Sequence, residues 1–229
     1  MSDNKEQLEA LYPFLSNDIK DPKKKNASLL ESVRQKAEES ITVKQKLFQE
    51  HAQSIVDTAY TIAKIYQSSG QLLTMGNGGS SCDAAHIAVE FLHPITTGRP
   101  ALTAINLVAD NAMMTAVAND VGITHIFVRQ LEALAKKGDG LIGISTSGNS
   151  ENLIAAFKRA KEMGIYTIGL AGSDGGQMAE EGLLDHCIVV ETDSVHRTQE
   201  CHVAIYHILW DLVHTILADE RGNIGNYDL

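Results

Sequence analysis

Five short apolar runs, separated by helical stretches, limit what this chain can fold into more than any other feature. The runs lie at 71–75, 102–106, 141–144, 166–170 and 186–190, and each is bounded by glycine, aspartate or serine. Runs of this length and punctuation read as buried strands. Between and after them, apolar residues recur at helical spacing over about 80–93, 110–119, 124–136, 150–163 and 196–218. Strands that alternate with helices imply right-handed crossovers, and hence a mostly parallel sheet covered on both faces. An α/β domain with such a sheet binds ligands beyond the carboxyl ends of its strands, in the strand-to-helix turns.

The chain has 229 residues, enough for one such domain without disulfide or metal staples. Residues 1–30 are polar and interrupted by Pro13 and Pro22, and read as a short helix and loop leading into a domain at 31–229. Lys23, Lys24 and Lys25 then form a solvated loop. Over 32–68, Val33, Ala37, Ile41, Val43 and Leu47, followed by Ile55, Ala59, Ile62 and Ile65, predict two amphipathic helices able to pack on the domain or on another subunit.

Charge narrows the partners. There are 29 acidic and 19 basic residues, a net −10, which repels a phosphate backbone and argues against nucleic acid. No run approaches the roughly 18 apolar residues of a membrane span, and no apolar leader follows Met1. Cys82, Cys187 and Cys201 form no CxxC pair, and Cys82 reads as a small buried residue. A cytoplasmic chain without membrane contact is the expectation.

Two turns look built for an anion. Gly76-Asn77-Gly78-Gly79-Ser80-Ser81 follows the first run, where glycines let backbone N–H groups come close and the next helix offers its positive end. It lacks the third glycine of a dinucleotide fingerprint, and no Gly-Lys-Ser/Thr makes a P-loop. Ser145-Thr146-Ser147-Gly148-Asn149-Ser150 follows the third run and places four hydroxyls in six residues at a helix start. Phosphate can be held there by neutral donors, without lysine. Ser150 also reads as the N-cap of that helix.

Together these turns make the chain similar to the sugar isomerase (SIS) domain family over residues 32–218, including Asn119-Asp120 and Asp174-Gly175-Gly176. The resemblance implies a flavodoxin-like, five-stranded parallel sheet flanked by helices, with N-terminal helices, and phosphorylated-sugar contacts from Asn77, Gly78, Gly79, Ser80, Asn119, Asp120, Ser145, Thr146, Ser147 and Ser150. Asp110 is either an N-cap or a pocket carboxylate on sugar hydroxyls.

Two helices carry the residues that separate a catalyst from a binding module. His86 and Glu90 are four apart and share a face, and Gln199 and His207 lie about 80° apart around one helix. This quartet resembles the zinc-binding and catalytic set of the phosphoheptose isomerases, with Gln199 also touching substrate. The resemblance implies Zn2+ on His86, Glu90, Gln199 and His207, a homotetramer, and conversion of sedoheptulose 7-phosphate to a manno-heptose 7-phosphate for heptose and lipopolysaccharide precursors. Aldose–ketose isomerisation needs a base at the carbon beside the carbonyl and an acid at the enediol oxygen, roles that fall to Glu90 and His207. His196 stands where isomerases of this kind carry an aspartate, which keeps another sugar phosphate open. A non-catalytic SIS protein that binds the replication initiator is the other reading. Such proteins tend to lose the glutamate and last histidine, and Glu90 and His207 are both present.

Overall fold

The computed structural model describes residues 22–222. Strands β1 (Leu72–Gly76), β2 (Ala104–Asn106), β3 (Gly140–Ser145), β4 (Tyr166–Gly172) and β5 (His186–Val190) form one parallel sheet in the order β2-β1-β3-β4-β5. Helices α1 (Pro22–Gln67), α2 (Gly79–Leu92), α3 (Asn111–Asp120), α4 (Ile126–Leu134), α5 (Glu151–Glu162) and α6 (Val195–Gly222) complete the chain. All five expected strands and the flanking helices are present.

The strands are buried on both faces because alternate residues serve two cores. Leu72, Ile142, Ile144, Ile168 and Leu170 meet α1, α2 and α6 through Ile62, Ile87, Phe91, Ile205 and Leu209. On the other face Leu73, Met75 and Leu141 meet Phe127, Leu131, Leu153 and Phe157 of α4 and α5. At the amino ends of the strands the fully buried Asp139 accepts hydrogen bonds from the backbone N–H of Gln71 and of Lys136, which joins the entries to β1 and β3. α6 is long and apolar enough to cross a membrane by composition, which the run-by-run view of the sequence passed over. Here its Cys201, Ile205, Leu209 and Val213 are core residues.

The N-terminal helices differ from expectation. One 46-residue helix replaces two, beginning at Pro22, so Lys23 and Lys25 are exposed on a helix rather than in a loop. Proline is suited to a first helical position, and no glycine or proline interrupts 23–67. The shift of apolar phase between Leu47 and Ile55 is therefore no break. The described residues divide into two units between Ile41 and Thr42, and the sheet lies in the second. The short helix expected before Pro22 lies outside the described residues.

The order 2-1-3-4-5 places a topological switch between β1 and β3, where successive connections leave in opposite directions. Gly76 pairs in register with Ile144. The glycine turn and the serine turn therefore start side by side at that switch.

Candidate active site

The glycine turn begins as β1 ends at Gly76. Gly78 sits at φ 54° in the N-cap position of α2, which puts Gly79 and the buried Ser80 in the first helical turn. A side chain at Gly79 would run into the amide nitrogen of Gln199. The structure thus lays Gln199, from α6, directly over the helix start. Asn77 is committed differently: its amide and that of Asn152 on α5 each donate to the other at 2.9 Å. The pair ties the two turns together, and Asn152 was not singled out in the sequence.

The serine turn is self-bonded. The Ser145 and Ser150 hydroxyls are 3.0 Å apart, with Ser147 Oγ 3.5 Å from Ser145 Oγ. Ser150 occupies the cap position of α5, but its hydroxyl makes no capping bond; its carbonyl starts the helix instead. Its side chain faces Ser145. Gly148 has φ 64°, and a Cβ there would strike the carbonyl of Gly175. Asn149 Oδ1 accepts from Gln177 N–H at 3.0 Å, and the Gly148 carbonyl from Met178 N–H at 3.0 Å. The segment after Asp174-Gly175-Gly176 therefore braces the serine turn from behind.

A cavity of about 210 Å³ opens beside this turn, lined by Thr146, Ser147, Ser173, Thr192, Asp193 and Thr198. Another of about 320 Å³ adjoins Ser150, Asn77 and Asn152 and reaches Thr124. Ser173, Thr192 and Asp193 were not picked out from the sequence, although they directly follow β4 and β5. The carboxyl-end rule applied to the last two strands would have found them. Ser173 holds φ 56°, a left-handed conformation that non-glycine residues adopt at a cost and that collects at functional sites.

Asp110 acts as the N-cap of α3, its carboxylate accepting from Met113 N–H at 2.9 Å. Asn119 and Asp120 bond to each other at the end of that helix, both exposed. No described contact carries Asp110, Asn119 or Asp120 to the serine turn. Cys82 is exposed rather than buried, because α2 buries Ser80, Asp83, Ala84, Ile87 and Phe91 and turns Cys82 away from them.

α2 and α6 bring the polar group together. His86 Nε2 lies 3.1 Å from Glu90 Oε1, and the His86 and His207 rings meet edge to face with centroids 5.1 Å apart. One donor atom from each of His86, Glu90 and His207 lies within 4.8 Å of the others. Two imidazoles and a carboxylate at that spacing fit a divalent cation such as zinc. Three supports surround them. Trp210 Nε1 donates to the Glu90 carbonyl at 2.9 Å, and the Arg99 guanidinium lies 4.3 Å from the Trp210 ring centre. The Tyr206 hydroxyl lies 2.8 Å from His86 Nδ1. Burial pushes the Asp83 carboxyl up, while His86 and the Tyr206 hydroxyl pull it back. Burial, with the charges of Asp83 and Glu90, raises Tyr206 well above the usual phenol range.

The SIS domain family model matches residues 37–172. The phosphoheptose isomerase of Clostridium acetobutylicum is 43% identical over 187 residues, covering 80% of this chain and 93% of that protein. Among solved structures, phosphoheptose isomerases from Neisseria gonorrhoeae (TM-score 0.76, 35% identity, 82% of this chain and 99% of that one) and Francisella tularensis (TM-score 0.77, 32% identity, 81% and 98%) share the fold.

Proposed function

Since the chain belongs to the SIS domain family, and within it resembles the phosphoheptose isomerases over four-fifths of its length, we propose that it isomerises sedoheptulose 7-phosphate to a manno-heptose 7-phosphate. The observation that carries this reading is the His86–Glu90–His207 group on α2 and α6, in one domain with two phosphate-type turns at the sheet's switch point. Phosphate binding falls to Ser145, Thr146, Ser147 and Ser150 with the helix start at Gly78, Gly79 and Ser80. The neutral donors suit an acidic protein.

The reaction moves one proton from C1 to C2 and one from O1 to O2, through an enediol. Glu90 Oε1 faces His86, so Oε2 is the oxygen that takes the C1 proton and returns it to C2. His207, the exposed member of the group, moves the hydroxyl proton. Gln199, over Gly79, contacts the sugar and serves as the fourth ligand. Zinc held by His86, Glu90, Gln199 and His207 supplies Lewis-acid polarisation of the carbonyl and stabilises the enediolate. Trp210, bonded to the Glu90 carbonyl, fixes the helix segment that carries the base.

Asp110, Asn119 and Asp120 belong to the sugar end of the site in this reading. Residues 31–229 are the SIS domain, and 1–30 a lead outside it. Exposed Leu29, Leu30, Val33 and Ile41 on the first half of α1 support a homotetramer, since apolar surface of that kind is usually covered by a partner. A cytoplasmic enzyme supplying heptose precursors for lipopolysaccharide completes the proposal.

The test is a coupled isomerase assay on sedoheptulose 7-phosphate, with protein stripped by chelator and then reloaded with zinc. Zinc-dependent turnover that drops roughly 10²–10⁴-fold in Glu90→Gln is the expected result. Wild-type protein that binds the sugar phosphate and never turns it over would overturn the assignment.

A further inference from the structure

Glu90 lies in the last turn of α2, where a helix runs short of backbone donors. In a regular helix its carbonyl would accept the N–H of the residue four ahead, and that residue is Pro94, which has none. The carbonyls on either side are met by backbone: Val89 by the His93 N–H at 2.8 Å and Phe91 by the Leu102 N–H at 2.8 Å. For Glu90 the donor comes from another helix, the Trp210 indole Nε1–H of α6 at 2.9 Å. The loop that Pro94 begins then returns to that indole. Arg99 sets its guanidinium 4.3 Å from the ring centre and donates to the carboxylate of Asp211, the next residue on α6. The ring also meets His214 edge to face, with centroids 5.1 Å apart.

We propose that Trp210 and Arg99 form one positioning unit for Glu90: the indole N–H replaces the helix bond that Pro94 withholds, and Arg99, clamped to Asp211, holds the indole in place. This rests on the reading of Glu90 as the base. Neither residue touches the reacting carbons, and no proton moves through them. What they set is the place of the Glu90 backbone, and hence of its carboxylate. Helix ends fray, and a proline so soon after the base would leave that base on a loose turn. A displacement of about 1 Å at a reacting group can cost roughly 10²-fold in rate, so a tether at this carbonyl matters more than its single bond suggests.

Steady-state kinetics on the full chain, with sedoheptulose 7-phosphate and zinc supplied, give the first readout. Trp210→Phe keeps a ring for Arg99 to stack on and removes the N–H; it should lower kcat roughly 10–100-fold with KM within about twofold of wild type. Adding Pro94→Ala to that variant supplies a backbone N–H at the position the helix bond needs, and should recover most of the loss, which lost packing would not allow. Trp210 is the chain's one tryptophan, so its indole N–H gives a single resonance in 15N-tryptophan-labelled, metal-free protein. Its exchange with D2O should be slow in wild type and roughly tenfold faster in Arg99→Ala, with Arg99→Lys, which keeps the charge and loses the planar stack, between the two. A Trp210→Phe enzyme with the kcat of wild type would overturn the proposal and leave the isomerase reading intact. So would a lowered kcat that Pro94→Ala does not recover, because the indole would then be packing alone. If Trp210→Phe does not fold, the exchange comparison decides, and equal rates in wild type and Arg99→Ala would overturn the clamp. Full activity in Glu90→Gln would remove the base beneath the proposal, a failure that shows in the coupled assay while the indole exchange stays as expected.

Discussion

His202 should make this protein acid-sensitive in a way that one substitution removes. The residue lies on the inner face of α6 with no exposed surface. Nε2–H donates to the Ala171 carbonyl at 3.1 Å, and Nδ1 is buried without a partner among the described residues. Burial lowers its pKa from 6.5 to about 4, against a small opposing pull from the Ala171 carbonyl. The folded state therefore keeps His202 neutral where the unfolded chain takes up a proton. Above 6.5 both states are neutral and nothing is lost; as pH falls from 6.5 toward about 4, each pH unit costs about 1.4 kcal/mol, to a ceiling of about 3 kcal/mol. At pH 5 the loss is about 2 kcal/mol. His202→Gln retains an N–H donor for Ala171 and cannot titrate. Urea unfolding at fixed protomer concentration, at pH 7 and pH 5, should show the wild type losing about 2 kcal/mol more than the variant. Equal losses in both proteins would refute the reasoning, because some other group would then carry the acid response.

Gly148→Ala should lower stability by more than about 1 kcal/mol, read by thermal unfolding, since it forces a side chain into φ 64° and against the Gly175 carbonyl. Phosphate affinity should fall with it. Gly79→Ala should displace the Gln199 amide and raise KM for the sugar phosphate, with the unfolding midpoint barely moved. In a double-mutant cycle, Asn77→Ala and Asn152→Ala should couple by about 1 kcal/mol, because either substitution alone leaves the other amide unpaired. A coupling near zero would make the pair incidental.

The sheet was legible because each strand is a short, mostly apolar run closed by a polar or glycine residue, and the glycine-rich and serine-rich turns stand at the carboxyl ends of β1 and β3, where such a sheet binds ligands. What escaped the sequence was contact rather than element. Asn152 looks like any polar residue of a helix until β1 and β3 are set side by side. Tyr206 carries no motif, and only the crossing of α2 by α6 brings its hydroxyl to His86. Ser173, Thr192 and Asp193 carry no motif and are marked in the sequence only by following β4 and β5, whereas the cavity they line with the serine turn appears with the fold. The predicted break between two N-terminal helices failed for a different reason: a change in apolar phase shows where a helix changes neighbours, not where its backbone stops.

The reciprocal amide bond between Asn77 and Asn152 has a consequence for how substrate arrives. Two loops tied at their bases, with one braced from behind by Gln177 and Met178, have little freedom left to surrender when a phosphate docks. On the proposed reading of these turns, recognition of that group would be lock-and-key, its entropic cost met during folding and not at each encounter. Any adjustment that turnover demands would then fall to the sugar's far end, among the helices, with the phosphate as a fixed pivot.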